Sequence, residues 1–196
     1  MKQTVQRSEP QSRTDTPSGL TVQQPTTADG DTVWNLVSRC RDALEAAGIR
    51  QWDALYPARS MIDADLVAGR ITGLSAGARW IAVVGVGSEP EPEYAAIRWT
   101  TSEPTRIIHR LCVDPAFWRS GYAHVLMDVV ERRAAEEGVA SIRLDAYSEN
   151  PAALTLYRRR GYRDVGRVWF PRRRAPFVCF EKDLLTMARG VTGQHA

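Results

Sequence analysis

Two hydrophobic periods alternate along this chain, and each change of period marks the border of a predicted element. In the first half, apolar side chains recur every three or four residues in two segments, which is the period of an amphipathic helix. One helix is predicted to begin near Asp31 and to end at Gly48, and a shorter one to run from about Ser60 to Gly69.

Runs rich in β-branched and aromatic residues predict strands over much of the second half. The predicted strands cover residues 80–86, 94–100, 107–113, 141–146, 165–170 and 177–182, and the first two form a hairpin. Two helices, 121–137 and 151–160, separate the later strands and end at Gly138 and Gly161. This order of elements predicts an α+β fold, a mixed α/β sandwich.

The N-terminal segment, residues 1–30, differs from the rest in having almost no large apolar side chains. Such a segment buries too little surface to offset the entropy lost on ordering. We therefore expect a disordered tail over 1–30 and a single folded domain over 31–196. The alternative is an arm that docks on a partner subunit, and the sequence leaves a homodimer open.

Composition and charge indicate an ordinary soluble protein. The chain has 196 residues, 43% of them hydrophobic, and a net charge of +3, which gives no reason to expect a nucleic-acid or membrane partner. No apolar run approaches the roughly 18 residues of a membrane span, and no signal peptide is evident. Cys40, Cys112 and Cys179 are widely spaced and form no ligand motif, so we expect no metal site and a reducing, cytoplasmic location.

The stretch from residue 110 to 124 carries the clearest chemical signal. An apolar strand leads through Pro115 into a loop with one glycine, Gly121, and then into an amphipathic helix. The first N–H groups of a helix have no intrahelical acceptor, so they favour a bound phosphate. Gly121 lacks a Cβ and lets the backbone approach that phosphate closely, and Ala123 is the next smallest choice.

Together with the segment from Asn150 to Tyr157, this loop resembles the acetyl-CoA site of the GNAT acetyltransferase superfamily. The usual loop of that family, Arg/Gln-x-x-Gly-x-Gly/Ala, survives here as Trp118-x-x-Gly121-x-Ala123. The departure keeps the backbone donors. It leaves open whether Trp118 packs internally or contacts the pantetheine or substrate.

The resemblance implies a central mixed, mostly antiparallel sheet, in which a splayed pair of parallel strands holds acetyl-CoA as cosubstrate. The strand with Leu111 and Val113 forms one lip, and residues 141–146 form the other. The implied cofactor-binding residues are Leu111, Cys112, Val113, Trp118, Arg119, Ser120, Gly121, Tyr122, Ala123, His124, Asn150 and Tyr157.

The same resemblance assigns chemical roles. It makes Tyr157 the general acid for the leaving thiolate, the alternative being a packed tyrosine, and the Val113 N–H the oxyanion donor. Asn150 contacts the cofactor arm by resemblance, while its place before Pro151 independently predicts a helix N-cap. Cys112 is disfavoured as an acyl-carrying nucleophile, because buried cysteines are commonly inert.

The sequence does not identify the general base or the residues that bind the acyl acceptor. His109, Asp145 and Glu149 flank the predicted cleft, and a water chain would serve equally. Trp52 and Tyr56 either pack on the core or wall a substrate pocket.

Two arginine clusters, residues 158–160 and 172–174, have three open interpretations. They are a solvated surface, a contact with the CoA 3′-phosphate, or a site that attracts an acidic partner. The resemblance implies acetyl transfer to a primary amine of a small molecule by direct attack in a ternary complex. A protein or peptide amine as acceptor, and a non-catalytic acyl-CoA-binding module, are the alternatives.

Overall fold

The computed structural model describes residues 19–185, and a seven-stranded sheet forms their centre. The strands lie in the order β1-β2-β3-β4-β5-β7-β6, and each neighbouring pair is antiparallel except β4 and β5. Their bounds are β1 Leu20–Gln23, β2 Ile71–Ala76, β3 Arg79–Gly87, β4 Thr105–Val113, β5 Ser141–Tyr147, β6 Arg163–Val168 and β7 Phe177–Asp183. The predicted mixed, mostly antiparallel α+β fold is confirmed.

Four helices cover the two faces of this sheet, and each lies close to its predicted position. They are α1 Gly30–Ala46, α2 Arg59–Val67, α3 Tyr122–Glu136 and α4 Pro151–Arg159. The apolar faces of α1 and α2 pack over β2, β3 and β4 in one core cluster, whereas α3 and α4 pack on the opposite face in another. Within the described residues, no helix is long and apolar enough to cross a membrane.

The predicted hairpin of residues 80–86 and 94–100 is wrong. The hairpin partner of β3 is β2, which the sequence does not reveal because its Thr, Gly and Ser residues break the β-branched pattern. Residues 94–96 instead belong to a 3₁₀ turn, Pro92–Ala96, and residues 97–100 continue from it as irregular backbone. This segment is held by side chains, because Tyr94 is 2% exposed in the core and Thr100 bonds to the buried carboxylate of Glu181.

The predicted disorder of residues 1–30 is wrong for its last part. Leu20–Gln23 form β1, which pairs with the edge of β2, and Leu20 and Val22 pack against the core. Ladder hydrogen bonds and alternating apolar contacts order this stretch, although its composition averaged over thirty residues is polar. Residues 1–18 lie outside the described residues.

The sheet opens in its middle, between β4 and β5. Their parallel pairing ends at Ile108 and Leu144, while β4 continues along β3 to Val113 and β5 continues along β7 to Tyr147. A β-bulge in β4 contributes to the divergence, and Arg110 within it has a φ of 48°. The predicted splayed strand pair is therefore confirmed.

Candidate active site

A cleft of about 1410 Å³ occupies the opening between β4 and β5. It is lined by the last part of β4, by the loop before α3 and by α4. At the other end of the opening it is lined by the loops that join α1 to α2, β3 to β4 and β6 to β7. The predicted cofactor residues all line it except Ser120. The structure thus brings together residues that the sequence places in three separate segments.

The end of β4 presents backbone groups to this cleft. Asp114 N–H donates to the Ile81 carbonyl at 2.8 Å, which makes Val113 and Ala82 a non-hydrogen-bonded pair of the ladder. The N–H and C=O of Val113 consequently point away from β3 and toward the opening. The carbonyl accepts a hydrogen bond from Trp118 Nε1 at 2.8 Å. The N–H is the donor that the sequence predicted for an oxyanion.

The loop between β4 and α3 provides a group of unused backbone donors. Within the described residues, the N–H groups of Arg119, Gly121, Tyr122 and Ala123 have no hydrogen-bond acceptor. The amides of Ser120 and His124 are already bonded, to Phe117 O at 3.3 Å and Gly121 O at 2.9 Å. Four free donors at the start of a 15-residue helix are an arrangement that favours a bound phosphate group.

The loop reaches this shape through two left-handed residues. Gly121, the N-cap of α3, has a φ of 84°, and Arg119 has a φ of 65°. Arg119 occupies a position at which the GNAT-type loop commonly has glycine. Its backbone is nevertheless left-handed, the conformation that glycine adopts most easily. Trp118 is 41% exposed on the cleft wall, so it is not a core residue.

Tyr157 lies on α4 and faces the cleft from within the core. It is 6% exposed and packs edge-on against Tyr162, with ring centroids 5.8 Å apart. Burial first, and then the nearby Asp145 and Cys112, raise the pKa of the Tyr157 hydroxyl above its ordinary value. The hydroxyl therefore stays protonated at neutral pH and can donate a proton or a hydrogen bond.

Asp145 is the first residue of β5 beyond its pairing with β4. Its Oδ2 accepts a hydrogen bond from the Tyr94 hydroxyl at 2.5 Å. Burial raises the pKa of the Asp145 carboxyl to about 6 against the effect of that hydrogen bond, and the negative charges of Glu91 and Glu93 add to the rise. Such a carboxylate is ionised at pH 7 and is more basic than an ordinary aspartate.

The other two candidate bases differ from Asp145 in their surroundings. His109 lines the cleft, and burial, followed by the charge of Arg110, lowers its pKa to about 4, so the ring is neutral. Its Nδ1 lies 3.8 Å from Glu91 Oε1. Glu149 is exposed and does not line the cleft, which removes it as a candidate.

Cys112 is buried, and the neighbouring Cys40 thiol together with burial raises its pKa well above the ordinary value. An uncharged thiol is a poor nucleophile, so the structure favours the inert interpretation. Within residues 19–185, no group of three or more His, Cys, Asp or Glu side chains is arranged to hold a metal ion.

Asn150 is the N-cap of α4, as its position before Pro151 predicts. Its Oδ1 accepts from Ala153 N–H at 3.1 Å, and its Nδ2 donates to Gln51 Oε1 at 2.7 Å. The amide thus joins α4 to the loop between α1 and α2. Its role toward the cofactor arm stays a prediction.

The loop between β4 and α3, here called the α3 loop, forms one end of the cleft. Most residues that line the opposite end were not predicted from the sequence. The missed residues on its wall include Gln51, Glu91, Glu93, Phe170 and Arg173. A turn rich in proline and glutamate gives no signal of a binding site. Trp52 and Tyr56 do line the cleft, as one of their two interpretations required.

The two arginine clusters separate by role. The Arg160 side chain donates hydrogen bonds to Glu131 Oε1 at 2.9 Å and to Asp128 Oδ1 at 2.6 Å, and these bonds join the end of α4 to α3. Arg159 is exposed at the cleft. Arg173 bonds to Asp53 across the cleft's far end.

The model of the acetyltransferase (GNAT) family matches residues 39–162, and none of the curated protein sequences matches the chain. Among solved structures, a GNAT-family acetyltransferase from Streptococcus agalactiae is similar with a TM-score of 0.73 at 19% identity, over 85% of this chain and 96% of that one.

Two further structures share the fold at lower sequence identity. A PaiA N-acetyltransferase from Thermoplasma acidophilum, in complex with coenzyme A, has a TM-score of 0.64 at 13% identity, covering 84% of this chain and 99% of its own. The ribosomal-protein-S18-alanine N-acetyltransferase from Escherichia coli has a TM-score of 0.62 at 14% identity, with 84% and 94% covered.

Proposed function

The chain belongs to the GNAT acetyltransferase family, and from that premise we propose that it transfers the acetyl group of acetyl-CoA to the primary amine of a small molecule. One observation carries the proposal. Asp145 and Tyr157 line the same opening of the sheet, the first as a carboxylate of raised basicity and the second as a protonated hydroxyl. At neutral pH the carboxylate of Asp145 is deprotonated and the hydroxyl of Tyr157 is protonated, which are the states that a general base and a proton donor of one reaction need.

The cofactor end of the cleft fits the parts of acetyl-CoA. The four free amides of the α3 loop suit the pyrophosphate, and the outward-facing N–H of Val113 suits the thioester oxygen. Arg119 and Arg159 line the cleft as cations toward a polyanionic ligand.

The opposite end fits an amine that arrives as an ammonium ion. Glu91, Glu93 and Asp145 all line it, and their charges interact with one another. Arg110 and Arg173 line the same end but are paired with Asp65 and Asp53. The three further carboxylates therefore favour a cation there. Asp145 then accepts a proton from the bound ammonium, which leaves a neutral nitrogen with a free electron pair.

The reaction balances with these two residues. The amine nitrogen attacks the thioester carbon, and the Val113 N–H stabilises the oxygen that becomes negative. As the carbon–sulfur bond breaks, Tyr157 donates its proton to the sulfur and regains one from the new amide nitrogen. An ammonium and acetyl-CoA thereby yield an acetamide, CoA thiol and one proton that Asp145 releases to solvent.

A screen for CoA thiol release tests the function directly. Purified protein with acetyl-CoA is offered small primary amines, amino acids and short peptides with a free N-terminus. We expect turnover with a small primary amine. Peptides turned over best would favour a protein acceptor. Bound acetyl-CoA without thiol release from any amine would favour a non-catalytic binding module.

Gly121→Val is expected to weaken acetyl-CoA binding about 10-fold, which corresponds to the loss of two or three amide–phosphate contacts. The substituted side chain is added on the cleft at a left-handed backbone position with open space around it. Isothermal titration calorimetry with acetyl-CoA measures the effect.

Gly138→Val is the matched control for that variant. Gly138 follows the other end of α3 with a φ of 71°, also has open space around it and does not line the cleft. It should cost similar stability and leave the affinity unchanged. Equal affinity of both folded variants would contradict the role of the loop.

A further inference from the structure

Two loops meet across the end of the cleft that lies away from the α3 loop. One follows α1 and carries Trp52 and Tyr56, and the other joins β6 to β7 and carries Phe170. Arg173 Nη1 of the second loop lies 2.6 Å from Asp53 Oδ2 of the first, although 120 positions separate them in the chain. This ion pair bridges the two loops.

The pair is more than a surface contact, because its cation is withdrawn from water. The Arg173 side chain is 7% exposed, while that of Asp53 is 32% exposed. A desolvated guanidinium that loses its carboxylate is left unpaired, which costs far more than the loss of an exposed ion pair. The neighbouring Arg172 Nε, at 3.6 Å from the same oxygen, is exposed and adds less.

Asp53 also fixes the shape of its own loop. Its Oδ1 accepts the N–H groups of Leu55 and Tyr56, each at 2.8 Å, and its own N–H donates to the Tyr56 carbonyl at 2.9 Å. One carboxylate therefore sets the turn that places Tyr56 on the cleft wall and binds the opposite loop at the same time. Partial burial opposes ionisation, but the Arg173 and backbone hydrogen bonds keep the pKa of Asp53 below its ordinary value.

A second tether holds the same loop on its other side. Gln51 Oε1 accepts from Asn150 Nδ2 at 2.7 Å, which joins the loop to the N-cap of α4. The segment from Gln51 to Tyr56 is thus bound to both of its neighbours. Its aromatic residues then form a fixed wall.

We propose that the Asp53–Arg173 ion pair determines acceptor specificity by closing the far end of the cleft into a pocket for a compact amine. The inference rests on the proposed acetyl transfer and names its substrate class. A polypeptide acceptor must continue past the residue that carries the reacting amine, and its chain would have to pass between the two bridged loops. A compact primary amine with an apolar body ends within the pocket, against Trp52, Tyr56 and Phe170.

The test compares two acceptors, 2-phenylethylamine and trialanine amide, in the wild type and two variants. Arg173→Ala removes the cation, and Asp53→Asn removes the charge while its amide oxygen still serves the turn. Each should raise KM for 2-phenylethylamine about 10-fold and shift the ratio of kcat/KM toward trialanine amide by 10-fold or more. Acetyl-CoA affinity should stay within about 3-fold, and the double variant should shift little further than either single one.

Arg174→Ala is the control, because Arg174 is exposed in the same loop and does not line the cleft. Arg173→Lys should recover part of the wild-type ratio, since it restores the charge without the planar fork. Folded Asp53→Asn and Arg173→Ala proteins with the acceptor ratio of Arg174→Ala would overturn the inference and leave the acetyl transfer standing.

Two results with the wild type are also decisive. A wild type that prefers trialanine amide contradicts the inference without touching the chemistry of acetyl transfer. A wild type that releases no CoA thiol with any amine overturns the proposed function, and the inference falls with it.

Discussion

Asp145→Asn is expected to lower kcat/KM for the amine by roughly 10²–10⁴-fold, the usual contribution of a general base. Asparagine keeps the size of the side chain and an oxygen that accepts the Tyr94 hydroxyl, which bonds at 2.5 Å in the wild type. What it lacks is the ability to take a proton. Steady-state kinetics at pH 7.5, with CoA thiol release as readout, measures the loss.

The pH profile separates this role from a structural one. Since only the deprotonated carboxylate accepts a proton, wild-type kcat/KM should fall as the pH drops through about 6, the raised pKa of Asp145. Asp145→Asn should lack this limb. Glu149→Gln, a change at an exposed site outside the cleft, should keep both rate and limb. A fully active Asp145→Asn protein with an unchanged limb would refute the assignment.

The raised pKa of Asp145 also affects how the free energy of unfolding depends on pH. The dependence is opposite in sign to that of an ion-paired aspartate, whose pKa is lowered. The folded protein holds the Asp145 proton up to about pH 6, whereas an unfolded chain releases it near the ordinary value of 3.8. Between these values the folded state binds more protons, so the contribution to the free energy of unfolding falls as pH rises. Asp145→Asn removes this contribution and should unfold at neutral pH no more readily than the wild type. Thermal denaturation at pH 4.5 and 7.5 checks this.

Tyr157→Phe is expected to lower kcat by roughly 10–10³-fold, with kcat/KM falling alongside, because the leaving thiolate loses its proton donor. The ring stays in its packing against Tyr162 and Phe180. Acetyl-CoA affinity should therefore change little. The loss should be smaller with a thioester donor whose thiolate is less basic.

Tyr162→Phe serves as the control for that substitution. Tyr162 is equally buried and lies edge-on against Tyr157, but it does not line the cleft. Its loss of a hydroxyl should leave kcat near that of the wild type. If Tyr157→Phe retains full turnover on an acceptor whose chemical step limits the rate, Tyr157 is a packing residue and the mechanism is wrong.

Features that depend on neighbouring residues could be predicted from the sequence alone. Helical periodicity and terminal glycines located α1 to α4, and Gly121 before an amphipathic segment indicated the loop whose free amides the structure displays. The N-cap at Asn150 followed from the proline after it. Such signals are local, because a helix start or a tight turn depends on a few consecutive residues.

Features that depend on residues distant in the chain could be identified only from the folded structure. Among three candidate bases, Asp145 stands out because Tyr94, Glu91 and Glu93 surround it, although the sequence predicts a strand from Tyr94 onward and no contact with Asp145. The specificity pair joins Asp53 to Arg173 across 120 positions. Burial, charge neighbours and the closing of a pocket arise from packing between elements, and no local pattern of residue types encodes which partners will meet.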